Sequence, residues 1–332
     1  MSIIRLKKSP SIISGASVVG KKESEGPLRD EFDLHDPTDR FSMNSWEKSE
    51  GEMQRLALNI ALSKCNLREN DIDALFAGDL MNQCASSAYG LIDFNIPFFG
   101  IYGACSTFVE GMILGAANVS SGIFRRCAIV TSSHFCSAER QFRFPLEYGG
   151  QRPPTSQRTV TGAGAVILSE RGRGPYIVDV LPGMVIDKGI TDANNMGAAM
   201  APAAIDTISK YFYQSGTSPS DYDLILTGDL GIEGHGILSD YMNSLGFDMS
   251  KNYNDCGLMI FNSKEQDVHS GASGCGCSAT VFSSLILSKF KKKELNNVLF
   301  IATGALMSPD SLKQGHSIPG IAHLVHISSS EV

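Results

Sequence analysis

The stretch Asp71–Leu80 reads DIDALFAGDL, and the stretch Asp221–Leu230 reads DYDLILTGDL, 150 residues further along the chain (221 − 71 = 150). Each copy follows a segment with the apolar spacing of a helix, at about residues 52–64 and 201–214. Each copy also has the continuous apolar run that is typical of a buried strand. The recurrence predicts that one α/β unit occurs twice in this chain.

Further matching segments support the duplication at other offsets. The changes in offset place about 22 additional residues in the second half, between its Gly–Asp–Leu strand and its helix. They place about 14 additional residues in the first half, within 134–160. The matches are Cys105–Ser106 with Cys277–Ser278 and 128–131 with 300–303, both displaced by 172 (277 − 105 = 172), and 162–169 with 320–328 at an offset near 158.

The duplicated pattern of strands and helices predicts an α/β fold made of two βαβ-type halves. We expect the two sheets to join, with the helices that begin near Cys105 and Cys277 packed between them. The open alternative is one long doubly wound sheet in which the recurrence is accidental. We divide the chain into an irregular N-terminal arm (1–45, with a short strand at Ile12–Ser17), a first half (46–172, with the insertion 134–160), a linker (173–200) and a second half (201–332).

Composition narrows the class of protein. The chain has 332 residues, of which 42% are hydrophobic and 19% charged, and its formal net charge of −7 argues against nucleic acid as the main partner. No apolar stretch approaches the roughly 20 residues that span a bilayer, and no signal region is evident. The eight cysteines have neither a disulfide framework nor a zinc spacing. We expect a soluble protein with reduced thiols, no metal site and at most peripheral contact with membranes.

Cys105 is the cysteine with the clearest functional interpretation. It follows the strand-like run 96–102 and a Gly103–Ala104 turn, and it precedes a helical pattern that ends at Gly122. A thiol in the first turn of a helix faces unpaired N–H groups and the positive end of the helix dipole, and both favour the thiolate. The position is typical of a nucleophile, but a small apolar side chain packed under a sheet has the same pattern.

Seven stretches of the chain resemble one family from spore-forming bacteria, stage V sporulation protein AD, which is a member of the thiolase-like superfamily. The resemblance covers nearly the full length and implies a thiolase-like fold with its layers in the order α-β-α-β-α. The stretches are Gly78–Gln83, Gly103–Thr107, Thr131–Gly150, Thr159–Ala165, Gly189–Ala204, Asp221–Leu230 and Ala302–Pro309.

The resemblance also implies a function. Proteins of this family bind dipicolinic acid, or its calcium chelate, in the thiolase-like pocket without established turnover, and they take part in its uptake into the developing spore. The resemblance implies a homodimer in the forespore or spore, peripheral to the inner membrane. Its implied partners are other proteins of the stage V sporulation A operon. No cofactor is implied, apart from calcium that enters together with the ligand.

Catalysis by a thiolase-like site needs more than a thiolate, because an oxyanion and a carbanion must also be stabilised. Three loops of the second half should supply these groups. Residues 227–234 contain no histidine or asparagine, residues 303–307 contain no cysteine, and only residues 269–274 resemble a thiolase histidine loop, with one residue missing. We therefore favour a non-catalytic binder. The alternative is an acyltransferase in which Cys105 carries the acyl group and His269 assists.

The insertion 134–160 provides a physical argument for an anionic aromatic ligand. Its arginines outnumber its acids, so that its formal charge is +2 (4 − 2 = +2), and its aromatic residues can stack on a planar ring. Pairing with local acids or a role at a dimer interface is the alternative for these arginines. The charged residues of the insertion are Arg140, Arg143, Arg152, Arg158, Glu139 and Glu147.

Residues at strand ends and in the linker complete the predicted ligand site, because ligands of open sheets bind at the carboxyl ends of strands. Asp187 is expected either to give calcium an oxygen ligand or to cap a turn. His269 is expected either in the pocket or hydrogen-bonded within its glycine-rich turn. The predicted ligand-binding residues are Cys105, His134, Arg140, Arg143, Asp79, Asn82, Thr161, Asp187, Asp229 and His269.

Overall fold

The strands of both halves come from apolar runs that alternate with amphipathic helices. The structure is a computed structural model, and it describes residues 2–142 and 152–331. Within these ranges the strands are β1 (Ile4–Arg5), β2 (Ser11–Val19), β3 (Leu34–His35), β4 (Ala74–Gly78), β5 (Phe98–Gly100), β6 (Arg126–Ser133), β7 (Arg158–Thr159), β8 (Gly162–Ser169), β9 (Tyr176–Leu181), β10 (Leu224–Thr227), β11 (Tyr253–Asp255), β12 (Ala272–Ser273), β13 (Asn297–Ala305) and β14 (Gly320–Ser328).

The long helices begin at residues that cap them well. Ser45 accepts a hydrogen bond from Lys48 N at the start of the second helix, and Asn195 accepts one from Ala198 N at the start of the sixth. The helices are α1 (Lys21–Ser24), α2 (Trp46–Lys64), α3 (Ala85–Gly90), α4 (Thr107–Ser120), α5 (Phe135–Phe142), α6 (Met196–Ser215), α7 (Gly231–Ser244), α8 (Cys256–Met259), α9 (Cys275–Val281), α10 (Leu287–Lys291) and α11 (Pro309–Lys313), with a π-helical segment, Phe282–Ile286, joining α9 to α10.

The main sheet confirms the duplication. In the first half the strand order is β5-β4-β6-β8-β2, and in the second half it is β11-β10-β13-β14-β9. In each half the first three strands of that order are parallel, and the last two run antiparallel to their neighbours. The two half-sheets meet where Ser11 of β2 pairs with Tyr176 of β9. The two copies of the unit therefore join into a single mixed sheet.

Strand pairing changes one of the offsets predicted from the sequence. Ala77 pairs with Val130 in the first half, and Thr227, 150 residues beyond Ala77, pairs with Ile301 in the second half. The structural offset from β6 to β13 is therefore 171 (301 − 130 = 171) and not 172. Because side chains alternate along a strand, a change of one residue in the offset changes which positions of the two copies lie on the same face of the sheet.

Residues 11–19 are not part of an irregular arm. They form β2, a nine-residue strand that pairs with β8 along its length and is buried except at Ile13. In the sequence SIISGASVV the branched residues occur only as two pairs separated by four small residues, which weakens the continuous apolar signal of a buried strand. The N-terminal segment therefore supplies the fifth strand of the first half.

The helices form the predicted layers. α2 packs on the outer face of the first half-sheet, and α6 packs on the outer face of the second. Between the sheets lie α4 and α9, which contact each other, and α4 contacts strands of both halves. An aromatic cluster lies there, formed by Phe108 of α4, Phe282 of the π-helical segment and Phe300 of β13. The rings of Phe282 and Phe300 are stacked, with their centroids 4.9 Å apart. In the described part of the chain, no helix is long and apolar enough to cross a membrane.

Glycines allow α9 to lie close to the first half-sheet. A Cβ atom added to Gly164 of β8 would lie 2.4 Å from the carbonyl carbon and oxygen of Ala279. A Cβ atom added to Gly276 would lie 2.4 Å from the carbonyl oxygen of Gly162. Both contacts involve backbone atoms of packed elements, so a side chain at either position has no room.

Replacing Gly164 by alanine should therefore destabilise the fold. We expect the G164A variant to lose about 1–3 kcal/mol of unfolding free energy, the usual cost of overpacking, in urea denaturation. The control is G236A in α7, where an added Cβ meets nothing within 4 Å and the helix gains up to about 1 kcal/mol. Equal stability of G164A and the unmodified protein would contradict the close packing of α9.

Candidate functional site

A cavity opens beside Cys105, at the carboxyl ends of the parallel strands of both halves. It contains about 680 Å³ of empty space, part of which is open to solvent. Its polar lining is Tyr102, Cys105, Glu139, Gln157, Thr159, Asn194 and Ser273, and its apolar lining is Leu80, Ala104, Ala138, Phe142, Ala193, Met196, Ala305 and Met307. Residues from both halves and from the segment between them thus enclose one site.

A tight turn presents Cys105 to this cavity. Ala104 has a φ of 52°, a conformation that non-glycine residues seldom adopt, and it directly precedes the cysteine. The hydroxyl of Ser106 donates to Gly103 O at 2.6 Å, and that of Thr107 donates to Ala104 O at 2.6 Å. α4 begins at Thr107, so Cys105 lies just before the helix and is 6% exposed. The short side-chain hydrogen bonds hold the backbone in this strained form.

Asp229 and Ser273 of the second half meet Cys105 from the other side. The thiol sulfur lies 3.6 Å from the hydroxyl oxygen of Ser273, and that hydroxyl donates to a carboxylate oxygen of Asp229 at 2.9 Å. Asp229 also accepts from Gly274 N at 2.9 Å and from the hydroxyl of Thr303 at 2.8 Å. The carboxylate is therefore fixed by three donors and fully buried behind the serine.

This environment opposes the thiolate that the helix start was expected to favour. Burial and the negative charge of Asp229 raise the pKa of Cys105 well above its ordinary value, and the Ser273 hydroxyl offsets this only in part. Burial likewise raises the pKa of Asp229. The expectation of a stabilised thiolate was wrong, because desolvation and a buried carboxylate outweigh the helix dipole here. At neutral pH Cys105 is a protonated thiol.

His269 lies outside the cavity lining. Its Nδ1 is 2.8 Å from Pro153 O, and its Nε2 is 3.0 Å from the carboxylate of Asp267. From the same loop, Ser273 reaches Cys105 instead. The loop 303–307 supplies Thr303 to Asp229 and two apolar lining residues, Ala305 and Met307. The three loops of the second half do converge on Cys105, but they bring hydroxyl groups and a carboxylate.

Two predicted residues from the start of the insertion also have partners elsewhere. The His134 ring is buried, lies 2.9 Å from Asp39 O through Nε2 and packs on Trp46. Burial lowers the pKa of His134. Arg140 forms an ion pair with Glu47 of α2. Neither side chain lines the cavity.

The other predicted residues are distributed around the site. Asp79 is buried and accepts from Met81 N and from both the N–H and the hydroxyl of Ser87. Asn82 accepts from Gln141, Thr161 accepts from Phe135 N, and Asp187 accepts from Ser317 and Gly189 N on the surface. None of these four lines the cavity. Arg143 lies outside the described residues.

The described lining carries no positive charge. It includes the carboxylate of Glu139 but no lysine, arginine or histidine. Arg152 pairs with Asp267, and the guanidinium of Arg158 lies 3.8 Å from the centre of the Phe135 ring. In the described ranges, no group of three His, Cys, Asp or Glu side chains could hold a metal ion. The described part of the lining therefore offers a ligand one carboxylate, neutral hydrogen-bonding groups and apolar contacts.

Sequence comparison assigns the family. Residues 2–328 match the family described as Stage V sporulation protein AD (SpoVAD). Stage V sporulation protein AD of Bacillus subtilis (strain 168) is 44% identical over 310 residues, which cover 93% of this chain and 91% of that relative. The chain belongs to the stage V sporulation protein AD family.

Solved structures show the same fold at low sequence identity. 3-Oxoacyl-[acyl-carrier-protein] synthase III from Aquifex aeolicus VF5 has a TM-score of 0.56 and 13% identity, covering 95% of this chain and 99% of that one. FabH from Pseudomonas aeruginosa PAO1 has a TM-score of 0.57 and 12% identity, with 96% and 98% covered. A variant of OleA from Xanthomonas campestris has a TM-score of 0.59 and 12% identity, with 98% and 100% covered. The fold is thiolase-like, as the sequence predicts.

Several lining residues were not predicted from the sequence. Thr159 lies two residues before Thr161 in the stretch TVTGAGA, and Asn194 lies in the linker next to Asn195. Ser273 belongs to the glycine-rich loop that follows His269, and no local sequence pattern distinguishes its hydroxyl as the group that reaches Cys105. Tyr102 and Gln157 have no pattern that marks them as site residues.

The protonated state of Cys105 can be tested by alkylation. We expect slow modification of Cys105 by iodoacetamide at pH 8, and up to about tenfold faster modification in D229N, because removing the negative charge lowers the thiol pKa. Mass spectrometry of the labelled peptide over pH 6–10 measures both rates. Cys65, at the end of α2, serves as an internal control whose rate should not change. Rapid labelling of Cys105 at pH 6 in the unmodified protein would contradict the raised pKa.

Proposed function

We propose that this protein is a non-catalytic member of its family that binds dipicolinic acid as its calcium chelate in the Cys105 cavity. It would serve the uptake of the chelate into the developing spore. In this proposal it acts in the forespore or spore, peripheral to the inner membrane, with other proteins of the stage V sporulation A operon. The observation that carries the proposal is a formed cavity whose thiol is kept protonated, because burial and the charge of Asp229 raise the pKa of Cys105.

Charge favours the chelate over the free ligand. Ionised dipicolinate carries two negative charges, whereas its one-to-one complex with calcium is neutral. The described lining offers no cation and contains the carboxylate of Glu139. A dianion placed there without positive partners would lose its hydration and gain little in return. A neutral complex avoids most of that cost.

Oxygen atoms of the lining are suited to complete the calcium shell. Calcium takes six to eight oxygen-type ligands, and a planar tridentate ligand leaves several positions open. Glu139 offers a carboxylate, Thr159 a hydroxyl and Asn194 an amide oxygen. The apolar side chains of Phe142 and Met307 lie in the same lining and suit the face of an aromatic ring. The metal would thus arrive with the ligand.

Calorimetric titration tests the chelate. We expect calcium dipicolinate to bind at least about tenfold more tightly than dipicolinate with a chelator present, because only the neutral form avoids an unpaired buried charge. E139Q should weaken binding of the calcium form, while E265Q, at an exposed position, should not. Equal affinity with and without calcium would refute the chelate, and absence of heat in both titrations would refute the site.

Acyl transfer through Cys105 is the second candidate function. It is favoured by the position of the thiol in a cavity of the fold shared with 3-oxoacyl synthases. In that reaction the sulfur would take the acyl group from an acyl-CoA, the free coenzyme A thiol would leave, and the Cys105 proton would pass to that thiol. C105A separates the two candidates, because a binder keeps measurable affinity for the chelate. Steady, Cys105-dependent release of thiol from acyl-CoA would establish the enzyme instead.

We also propose that two copies of this chain pair through β5. β5 is the edge strand of the first half, and all three of its residues are exposed. Phe98 and Phe99 are 41% and 47% exposed, and Tyr102, which follows, is 44% exposed while also lining the cavity. An edge strand with exposed aromatic residues is a template for pairing with another strand. A second copy would cover these rings and continue the sheet.

Sedimentation velocity tests the dimer. We expect the unmodified protein to sediment as a dimer and F98K to shift towards the monomer, because a lysine on an edge strand opposes strand pairing. Y213K provides the control, since Tyr213 is 65% exposed on α6 of the other half. A monomer at micromolar concentrations in the unmodified protein would exclude this interface.

A further inference from the structure

A second open space lies at the other end of the sheet from Cys105. It is a groove of about 1770 Å³, including its opening to solvent. Its walls are the first residues of β2, the segment before β9, and the helix that runs from the π-helical segment into α10. The groove follows the line along which β2 and β9 separate, because these strands pair only at Ser11 and Tyr176.

The groove carries positive charge that has no partner. Lys64 is paired with Asp33 at 2.6 Å, and it also donates to Gly15 O. Arg173, Lys291 and Lys293, which come from two different walls, are exposed and have no carboxylate within 4.0 Å among the residues described. The lining has four cations and two acids, a formal charge of +2 (4 − 2 = +2), in a chain of net charge −7. The charge of the groove is therefore positive although that of the whole protein is negative, and a positive groove attracts anions.

Ser283 provides an independent observation. It lines the groove, is 3% exposed, and its hydroxyl has no hydrogen-bond partner in the described structure. Buried hydroxyls are nearly always paired, so an unpaired one in a groove lining points to a missing ligand. Ser283 belongs to the π-helical segment, whereas the duplicate helix α4 is α-helical from Thr107 to Ser120. Single π-turns often occur at functional sites, and here only one of the two copies has it.

Apolar side chains lie beside the cations. Ile13, Leu287 and Phe290 line the same groove, and the first two are only partly buried. A ligand that paired only with the cations would leave these apolar side chains exposed to water. A ligand with a charged head and an aliphatic chain would use both the cations and the wall.

We propose that this groove binds an anionic amphiphile, a molecule with a carboxylate or phosphate head and an aliphatic chain. Arg173, Lys291 and Lys293 would receive the head, and Leu287 and Ile13 would contact the chain. The site is separate from the Cys105 cavity and does not depend on the function proposed for it. Two sources would supply such a ligand, a free amphiphile in solution or a lipid of a bilayer, and flotation with vesicles distinguishes them.

Titration calorimetry of the full chain with dodecyl phosphate, below its critical micelle concentration, is the first test. We expect saturable binding that K291E/K293E weakens at least about tenfold, because two attractive charges become repulsive. The matched control is K251E/K264E, which makes the same change of charge at exposed positions outside the groove. Octyl phosphate should bind more weakly, by up to about fourfold for each buried methylene that is lost. Absence of binding, or equal weakening in the control variant, would overturn the proposal.

Two further ligands define the chemistry and the source. Inorganic phosphate should bind far more weakly than dodecyl phosphate, and equal affinity would overturn the role of the apolar wall. Flotation with phosphatidylcholine vesicles, with and without phosphatidylglycerol, then identifies the source. Flotation that requires phosphatidylglycerol and is lost in K291E/K293E supports the site with a bilayer lipid as ligand. Dodecyl phosphate binding without flotation supports the same site with a free amphiphile.

Discussion

The close approach of helix α9 to the sheet of the first half is the contact on which the rest of the structure depends. Because Gly164 and Gly276 have no side chains, the backbones of β8 and α9 approach each other closely. The start of α9, which belongs to the second half, therefore lies against the sheet of the first half. Ser273 and Gly274, which immediately precede α9, are thereby brought to Cys105. Neither half could form the cavity alone, because Cys105 belongs to one copy of the unit, and Ser273 and the Asp229 behind it belong to the other.

The two copies use the same aspartate differently. Asp79 and Asp229 each follow the strand of their half that leads into Gly–Asp–Leu, and each carboxylate accepts at least one backbone N–H group. Asp79 faces Glu50 on α2, and burial together with the charge of Asp79 raises the pKa of Glu50 to about 8. Glu50 therefore keeps its proton at neutral pH, which relieves the repulsion between the two buried acids. Asp229 instead faces a thiol at the boundary between the halves. Duplication thus produced one structural acid pair and one site.

Local sequence patterns predicted the features that depend on neighbouring residues. The similarity of DIDALFAGDL and DYDLILTGDL predicted that the chain has two similar halves. The turn before Cys105 predicted that the thiol lies at the start of a helix. The side-chain partners of several candidate site residues could not be predicted from local sequence patterns. Arg140 meets Glu47, which is far away in the chain, and His269 turns towards Pro153 and Asp267. The expected thiolate is disfavoured because folding buries Cys105 and because Asp229, 124 residues later (229 − 105 = 124), adds a buried negative charge, and both raise the pKa of the thiol. A short strand at Ile12–Ser17 was expected, but the full length of β2 and its place in the main sheet were missed because its small residues carry little apolar signal.

The protonated thiol of Cys105 has a consequence for the chemical durability of the protein. Peroxides attack the thiolate and not the thiol, so a cysteine with a raised pKa is oxidised slowly even where a cavity admits small molecules. Burial raises the pKa of Cys256, Cys275 and Cys277 in the same way. These four buried thiols are thus poorly suited to form sulfenic acids at neutral pH.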